Sequence, residues 1–73
     1  MEKFTNIMAV MKVIEILANS EKSWEEATRK AVKHAAESVK NIKSVFVQSQ
    51  SAVVNGSNVT EFRVNLKITF EVN

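Results

Sequence analysis

The stretch VTEFRVNLKITFEV, residues 59–72, decides the fold. From Glu61 to Val72 a polar residue and an apolar residue alternate six times in succession. The apolar set comprises Phe62, Val64, Leu66, Ile68, Phe70 and Val72. Successive side chains of a β-strand point to opposite faces, so the alternation predicts a long strand with one face on a core and the other in water.

A tight turn precedes this strand. Asn55-Gly56 supplies the positive φ angles that a short hairpin turn requires, and Gly56 is the only glycine in the chain. Before the turn, residues 44–54 are rich in valine, with Phe46 on the face opposite to Val45 and Val47, which is typical of a strand. The turn therefore makes this second strand antiparallel to the third.

The N-terminal half begins with another strand. Residues 8–17 are mostly apolar and β-branched, which predicts the first strand. A polar connection follows, and Ser23-Trp24-Glu25-Glu26 then has the pattern of a capping box. In such a box the Ser23 oxygen accepts the Glu26 amide hydrogen, and the Glu26 side chain reaches back to the Ser23 amide. This segment predicts the start of a helix.

The helix is predicted to end near Asn41. Its apolar stripe recurs at helical spacing and is broadened by Val32; the stripe comprises Ala27, Ala31, Ala35, Ser38 or Val39, and Ile42. Small side chains let a helix lie close against a sheet, so the strands provide most of the contact surface. Trp24, at the helix start, is expected to be a packing residue.

The order of elements is β-α-β-β, which predicts an α+β fold. The helical crossover makes the first and second strands parallel, so every neighbour is antiparallel only if the third strand lies between them. This gives a three-stranded antiparallel sheet of order 1-3-2 wrapped around one helix. The edge strands carry apolar residues on both faces and need another subunit to cover them. We therefore predict a single domain over residues 8–73, after a tail at residues 1–7, that works as a homo-oligomer.

Composition argues against several classes of function. The chain of 73 residues has no cysteine and no aspartate, and His34 is its only histidine, which leaves no recognisable catalytic constellation. The basic helix residues are interleaved with glutamates, and the net charge is only +2, which does not indicate a nucleic-acid partner. No apolar run approaches the roughly 18 residues of a membrane helix. We expect a cytoplasmic protein that is not an enzyme, with no nucleic-acid or membrane partner.

Two parts of the chain form a recognisable pattern. The first part is Lys12-Val13-Ile14-Glu15-Ile16 followed by Ser23-Trp24-Glu25-Glu26-Ala27, and the second is the alternating segment Phe62 to Phe70. Together they resemble the dodecin family, over about residues 10–73. The resemblance implies a hollow spherical homododecamer that stores or buffers flavins without catalytic turnover. It also implies that riboflavin or FMN binds in pairs at the subunit interfaces.

The resemblance also points to a ligand site. In the family, a tryptophan near the start of the second strand stacks on the flavin ring, and a glutamine on the third strand hydrogen-bonds the ring's polar edge. These positions match Ser44 and Arg63 here, and Gln50 matches a polar position near the site. Aromatic stacking contributes roughly 1–3 kcal/mol per ring. The implied flavin site at Ser44, Gln50 and Arg63 is therefore expected to bind flavin weakly.

Two alternatives stay open at this point. Arg63 either binds an anionic ligand or a neighbouring subunit's carboxylate, or forms a structural ion pair, for which Glu61 and Glu71 are candidates by charge. The assembly is either a flavin-binding shell or a flavin-free shell with a structural or cation-binding role. In the cation-binding case, copies of Glu15, Glu61 or Glu71 converge on a symmetry axis and bind calcium or magnesium. No metal-binding cluster is predicted within one chain.

Overall fold

The computed structural model describes residues 10–72. They form a strand β1 (Val10–Ser20), a helix α1 (Trp24–Ala35), a strand β2 (Ile42–Asn55) and a strand β3 (Asn58–Val72). Strand β3 lies between β1 and β2 and is antiparallel to both. This confirms the predicted β-α-β-β order, the α+β fold and the central position of the third strand. The predicted tail at residues 1–7 and the predicted strand start at Met8 lie outside the described residues.

The core lies between α1 and one face of the sheet. Val64, Leu66 and Ile68 of β3 are fully buried, and the buried helix residues are Ala27, Ala31 and Ala35. The alanines keep the helix close to the strands, as the sequence predicts. We call this covered side of the sheet the helix face. The opposite side, the open face, carries the odd-numbered residues of β3 from Glu61 to Glu71, because side chains alternate along a strand.

The start of α1 differs in part from the predicted capping box. Ser23 is extended, with φ −168°, and its Oγ accepts the Glu26 amide at 3.0 Å, as predicted. The predicted bond from the Ser23 amide to the Glu26 side chain is wrong. The Glu26 carboxylate instead accepts from Ser20 Oγ, and the Ser23 amide donates to the same Ser20 hydroxyl at 3.4 Å. Ser20 is buried at the end of β1, directly beneath the helix start. Its hydroxyl therefore joins the sheet to the helix cap.

This contact also sets the charge state of Glu26. The hydrogen bond from Ser20 holds the pKa of Glu26 below its usual value, partial burial opposes that shift, and Lys22 and Lys30 reinforce it. Lys22 Nζ lies 3.9 Å from the carboxylate, and the Lys22 amide donates to Ser20 Oγ at 2.9 Å. The ionised form of Glu26 is thus the form that the fold favours.

The helix ends earlier than predicted. Its last residue is Ala35, and Ala36 caps it, so the predicted end near Asn41 is wrong. Val39 still donates to the Ala35 carbonyl at 2.9 Å, after which Asn41 adopts a φ of +65°. The Asn41 carbonyl accepts the Glu71 amide at 3.0 Å. The chain must return to the sheet before Ile42 pairs with Phe70, and asparagine tolerates the left-handed conformation that this return requires.

Strand β1 is longer than predicted at its C-terminal end. The prediction placed residues 18–22 in a polar connection, whereas β1 continues to Ser20. Asn19 pairs with Arg63, and Ser20 pairs with Phe62. The extension is polar, but the long central strand offers backbone partners for it. This difference matters below because it places Asn19 on the sheet.

The hairpin between β2 and β3 has the predicted place but a different turn conformation. Asn55 pairs with Asn58, so the two loop residues are Gly56 and Ser57. The prediction gave Asn55 a positive φ as well, but among the described residues only Gly56 and Asn41 have one. A positive φ at the first loop residue alone is typical of a type II′ turn, which matches the twist of paired strands.

Candidate functional site: the open face of the sheet

Residues of the open face form rows that cross all three strands. The register places these residues opposite one another: Asn19, Arg63 and Ser51; Leu17, Asn65 and Ser49; Glu15, Lys67 and Phe46; Val13, Thr69 and Ser44. Because directly paired residues share a face, each row presents one side chain from each strand on the same side. The open face is therefore a mixed surface of charged, amide, hydroxyl and apolar groups.

Ser44 and Arg63, two of the predicted site residues, both lie on the open face. Ser44 pairs with Thr69, which lies six positions after Arg63 along β3. At about 3.3 Å per residue the two rows are about 20 Å apart. One protomer therefore does not bring Ser44 and Arg63 into contact with each other.

Gln50, the third predicted site residue, lies on the other side of the sheet. It pairs with Val64, whose side chain is buried on the helix face. The register of β2 shifts between Val47 and Ser49, so its helix-face residues change from odd to even numbers at this irregularity. Within the protomer Gln50 thus shares neither a row nor a face with Ser44 and Arg63.

Trp24 is a packing residue, as the sequence predicts. Its ring meets Phe62 edge to face, with ring centroids 5.0 Å apart, and it packs against the core. Its indole Nε1 donates to the Ser51 carbonyl at 2.8 Å. Both the apolar ring and the polar edge of Trp24 are therefore engaged within the protomer.

Arg63 belongs to a hydrogen-bonded network with Asn19 and Glu61. Arg63 Nε donates to Asn19 Oδ1 at 3.0 Å, and Asn19 Nδ2 donates to Glu61 Oε1 at 2.7 Å. Among residues 10–72, Arg63 forms neither of its two candidate ion pairs. Asn19 lies between Arg63 and Glu61, and Glu71 Oε1 instead lies 3.6 Å from Lys43 Nζ. The structure thus replaces a direct ion pair by an amide bridge.

Comparison with known proteins identifies the family. The family model for dodecin matches residues 10–73. A curated relative, the calcium dodecin of Mycobacterium tuberculosis, is 35% identical over 65 residues, which cover 89% of this chain and 92% of the relative. This chain belongs to the dodecin family. The resemblance of the two sequence segments to dodecins is therefore confirmed.

Solved dodecin structures have the same fold. The crystal structure of the M. tuberculosis calcium dodecin, described as calcium-chelating with a novel calcium-binding site, matches with a TM-score of 0.78 and 34% identity, over 88% of this chain and 91% of that one. The dodecin of Streptomyces coelicolor matches with a TM-score of 0.86 and 21% identity, over 90% and 94% of the two chains. The second match shows the fold alone.

The carboxylates that the sequence proposed as cation ligands all lie on the open face of this dodecin. Glu15 pairs with Lys67, while Glu61 and Glu71 lie at the two ends of β3. Among the described residues no three potential metal ligands of the His, Cys, Asp and Glu types come together. Glu15 does share a cleft with Asn65, whose Oδ1 is buried without a hydrogen-bond donor in the described part of the chain.

Asn19 is the residue of this dodecin surface that sequence reasoning missed. The predicted end of the first strand at Leu17 left Asn19 in a connection, where its side chain had no assigned direction. Continuing the alternation of β1 by two residues would have placed it on the same face as Leu17 and opposite Arg63. No described helix is long and apolar enough to cross a membrane.

Proposed function

We propose that this dodecin assembles into a hollow homododecamer that binds and stores a small ligand at its subunit interfaces without chemical turnover, in the cytoplasm. The observation that carries the proposal is the exposure of large apolar side chains in the protomer. Among residues 10–72 only three are fully buried, all on β3. Within the same range ten are exposed: Val10, Met11, Val13, Leu17, Val45, Phe46, Val47, Val54, Val59 and Val72. A surface this apolar favours contacts between subunits.

The shape of the protomer supports the same proposal. Its Cα radius of gyration is 15.5 Å, whereas a compact domain of this length has about 11 Å. An elongated chain buries less surface within itself, so its stability depends more on partners. We expect light scattering or native mass spectrometry to give the mass of twelve 8.2-kDa chains. A monomer that stays folded at micromolar concentration would overturn the proposal.

Flavin is expected to bind weakly to this shell. Ser44 offers no aromatic surface at the position that matches the family's tryptophan, and Trp24 is already engaged with Phe62 and Ser51. Protein purified from flavin-containing cells is therefore expected to be colourless, and riboflavin fluorescence is expected to change little at submicromolar concentration. A yellow protein with strong quenching would show that the family site works without the tryptophan.

A divalent cation is the second candidate ligand. Glu15 and Asn65 line one cleft of the open face, and calcium accepts 6–8 oxygens from carboxylates, amides and water. Asn65 Oδ1 has no hydrogen-bond donor among residues 10–72, but it is buried, so the side chain would have to turn towards the cleft to bind the ion. Neighbouring subunits would complete such a site, and the calcium named in the M. tuberculosis relative fits this chemistry. Lys67 lies opposite Glu15 on β3, so its positive charge opposes cation binding there.

Calcium calorimetry tests this second candidate. We expect calcium to bind the wild-type shell and to raise its melting temperature, and Glu15→Gln to abolish both effects. Glu61→Gln is the matched control, because Glu61 lies on the same face but bonds to Asn19 instead of lining the cleft. If the two variants bind calcium equally well, Glu15 is not a ligand.

A further inference from the structure

The guanidinium of Arg63 is held in one orientation by its neighbours. Arg63 projects from the central strand on the open face, between Asn19 of β1 and Ser51 of β2. Its Nε donates to Asn19 Oδ1 at 3.0 Å. The guanidinium is planar, so with Nε bonded to Asn19 its two terminal nitrogens remain as a fork that can bind another group.

Glu61 fixes the amide that holds Arg63. A carboxylate can only accept, so the NH2 end of Asn19 must face Glu61, and the distance of 2.7 Å fits that bond. The amide oxygen is then the end that faces Arg63, which can only donate. Only one amide orientation satisfies both neighbours, so Glu61 orients the guanidinium without neutralising it by direct contact.

The terminal nitrogens of Arg63 have no acceptor among residues 10–72. Its one side-chain hydrogen bond there uses Nε, and no carboxylate within the same range comes within ion-pair distance. The Ser51 residue opposite Arg63 adds a hydroxyl in the same row. A planar fork with free N–H groups matches the two oxygens of a carboxylate or phosphate.

A second copy of the chain is a poor source of this oxyanion. The open-face carboxylates of the protomer already face groups of their own chain. Glu61 accepts from Asn19, Glu71 lies 3.6 Å from Lys43, and Glu15 lies opposite Lys67. A neighbouring open face would therefore have to break the Glu61 or Glu71 contact to supply a carboxylate, or bring Arg63 close to the positive charge of Lys67 to reach Glu15.

We propose that Arg63, positioned by Asn19 and Glu61, binds the carboxylate or phosphate group of a small-molecule ligand on the open face. This inference rests on the proposed binding function and deepens it by naming the charged end of the ligand. Arg63 makes the contact, and Asn19 and Glu61 are positioning residues. This arrangement explains why Arg63 lies close to Glu61 on the open face and yet forms no direct ion pair with it.

Calorimetric titration of the assembled protein with inorganic phosphate, at constant ionic strength with chloride as the balancing anion, tests the proposal. We expect saturable binding that Arg63→Lys weakens about tenfold, because lysine cannot form two parallel bonds, and that Arg63→Gln abolishes. Lys67→Gln is the matched control, since it removes the same charge from the same strand and face, and it is expected to change the affinity less than twofold. A parallel titration with acetate tells carboxylate from phosphate ligands.

Glu61→Gln separates positioning from simple electrostatics. Glutamine can donate or accept, so it no longer fixes the Asn19 amide, and we expect phosphate to bind about threefold to tenfold more weakly. If Glu61 acted only through its charge, its removal would strengthen the binding of an anion. Stronger binding in this variant would refute the positioning role.

Three results would overturn the proposal. The first is the absence of saturable phosphate binding in the wild type, and the second is an equal loss of phosphate affinity in Arg63→Gln and Lys67→Gln. The third is dissociation of the assembly in Arg63→Gln, which would assign Arg63 to a partner's carboxylate. Mass measurement on each sample distinguishes these results from failure of the proposed shell. A wild-type monomer that still binds phosphate through Arg63 would refute the shell and leave the anion site standing.

Discussion

Replacing Ser44 with tryptophan is expected to create a flavin-binding dodecin from this chain. Ser44 is exposed on the open face and pairs with Thr69, with Val13 as the third member of its row. None of these three residues is aromatic, so the wild-type row offers no stacking surface. An indole at residue 44 would project from the open face near the start of β2, at the position that the family resemblance assigns to a stacking tryptophan.

The size of the gain follows from the stacking energy. Stacking on an aromatic side chain contributes roughly 1–3 kcal/mol per ring, which corresponds to a decrease of roughly 5-fold to 150-fold in the riboflavin Kd. The side chain of Ser44 is exposed, so the larger indole does not have to displace core residues. We therefore expect the folded state to keep its stability and its mass while flavin affinity rises.

Quenching of riboflavin fluorescence measures this affinity directly. Ser49→Trp is the matched control, because Ser49 lies on the same strand and face, pairs with Asn65 and is also exposed. We expect Ser44→Trp to bind riboflavin at least fivefold more tightly than the wild type and more tightly than Ser49→Trp. Equal affinities in the two variants, with the assembly intact, would refute the assignment of Ser44 to the ligand site.

Three further predictions concern the fold that supports this surface. Leu66→Ala should lower the free energy of unfolding by about 3 kcal/mol, because it leaves a cavity at a fully buried position beside Ala27 and Ala31, and a loss below about 1 kcal/mol in urea unfolding would contradict this core. Ser20→Ala should raise the pKa of Glu26 towards its usual value. A carboxylate whose folded-state pKa is lowered stabilises the fold above its unfolded pKa and loses that contribution as the pH falls through the folded pKa, so the free energy of unfolding of the variant should fall less steeply with decreasing pH than that of the wild type. The same pH dependence in both proteins, measured by urea unfolding across the acidic range, would count against the Ser20 bond. Gly56→Ala should destabilise the hairpin by about 1 kcal/mol through its φ of +66° alone, since nothing lies near the added methyl group, and Ser57→Ala, the control, should be close to neutral.

The fold was largely predictable because its strongest signals are local. The alternation of residues 61–72 defines the central strand, and the single glycine marks the hairpin, so the strand order follows from topology. The ends of elements were less predictable, because they depend on partners distant in sequence. Asn41 ends the crossover where its carbonyl meets Glu71, and β1 continues to Ser20 because β3 offers partners that far.

The candidate site was predictable only as a set of positions. The family resemblance indicated Ser44, Gln50 and Arg63 as site positions. No pattern within the sequence indicates that Ser44 and Arg63 lie on the open face while Gln50 lies on the helix face. The side of Gln50 depends on the irregularity between Val47 and Ser49, which leaves no clear sequence signal. The role of Asn19 depends on a register partner 44 residues away.

The alternation of β3 separates what determines the fold from what determines the ligand. Its even-numbered residues, from Val64 to Ile68, are buried under α1, so changes there alter stability. Its odd-numbered residues, including Arg63 and Lys67, lie on the open face, where the core does not constrain them. Sequence change can therefore exchange one ligand chemistry for another while the topology stays the same. The chain accordingly matches the fold of a dodecin at 21% identity while its open face presents an arginine held by an amide bridge.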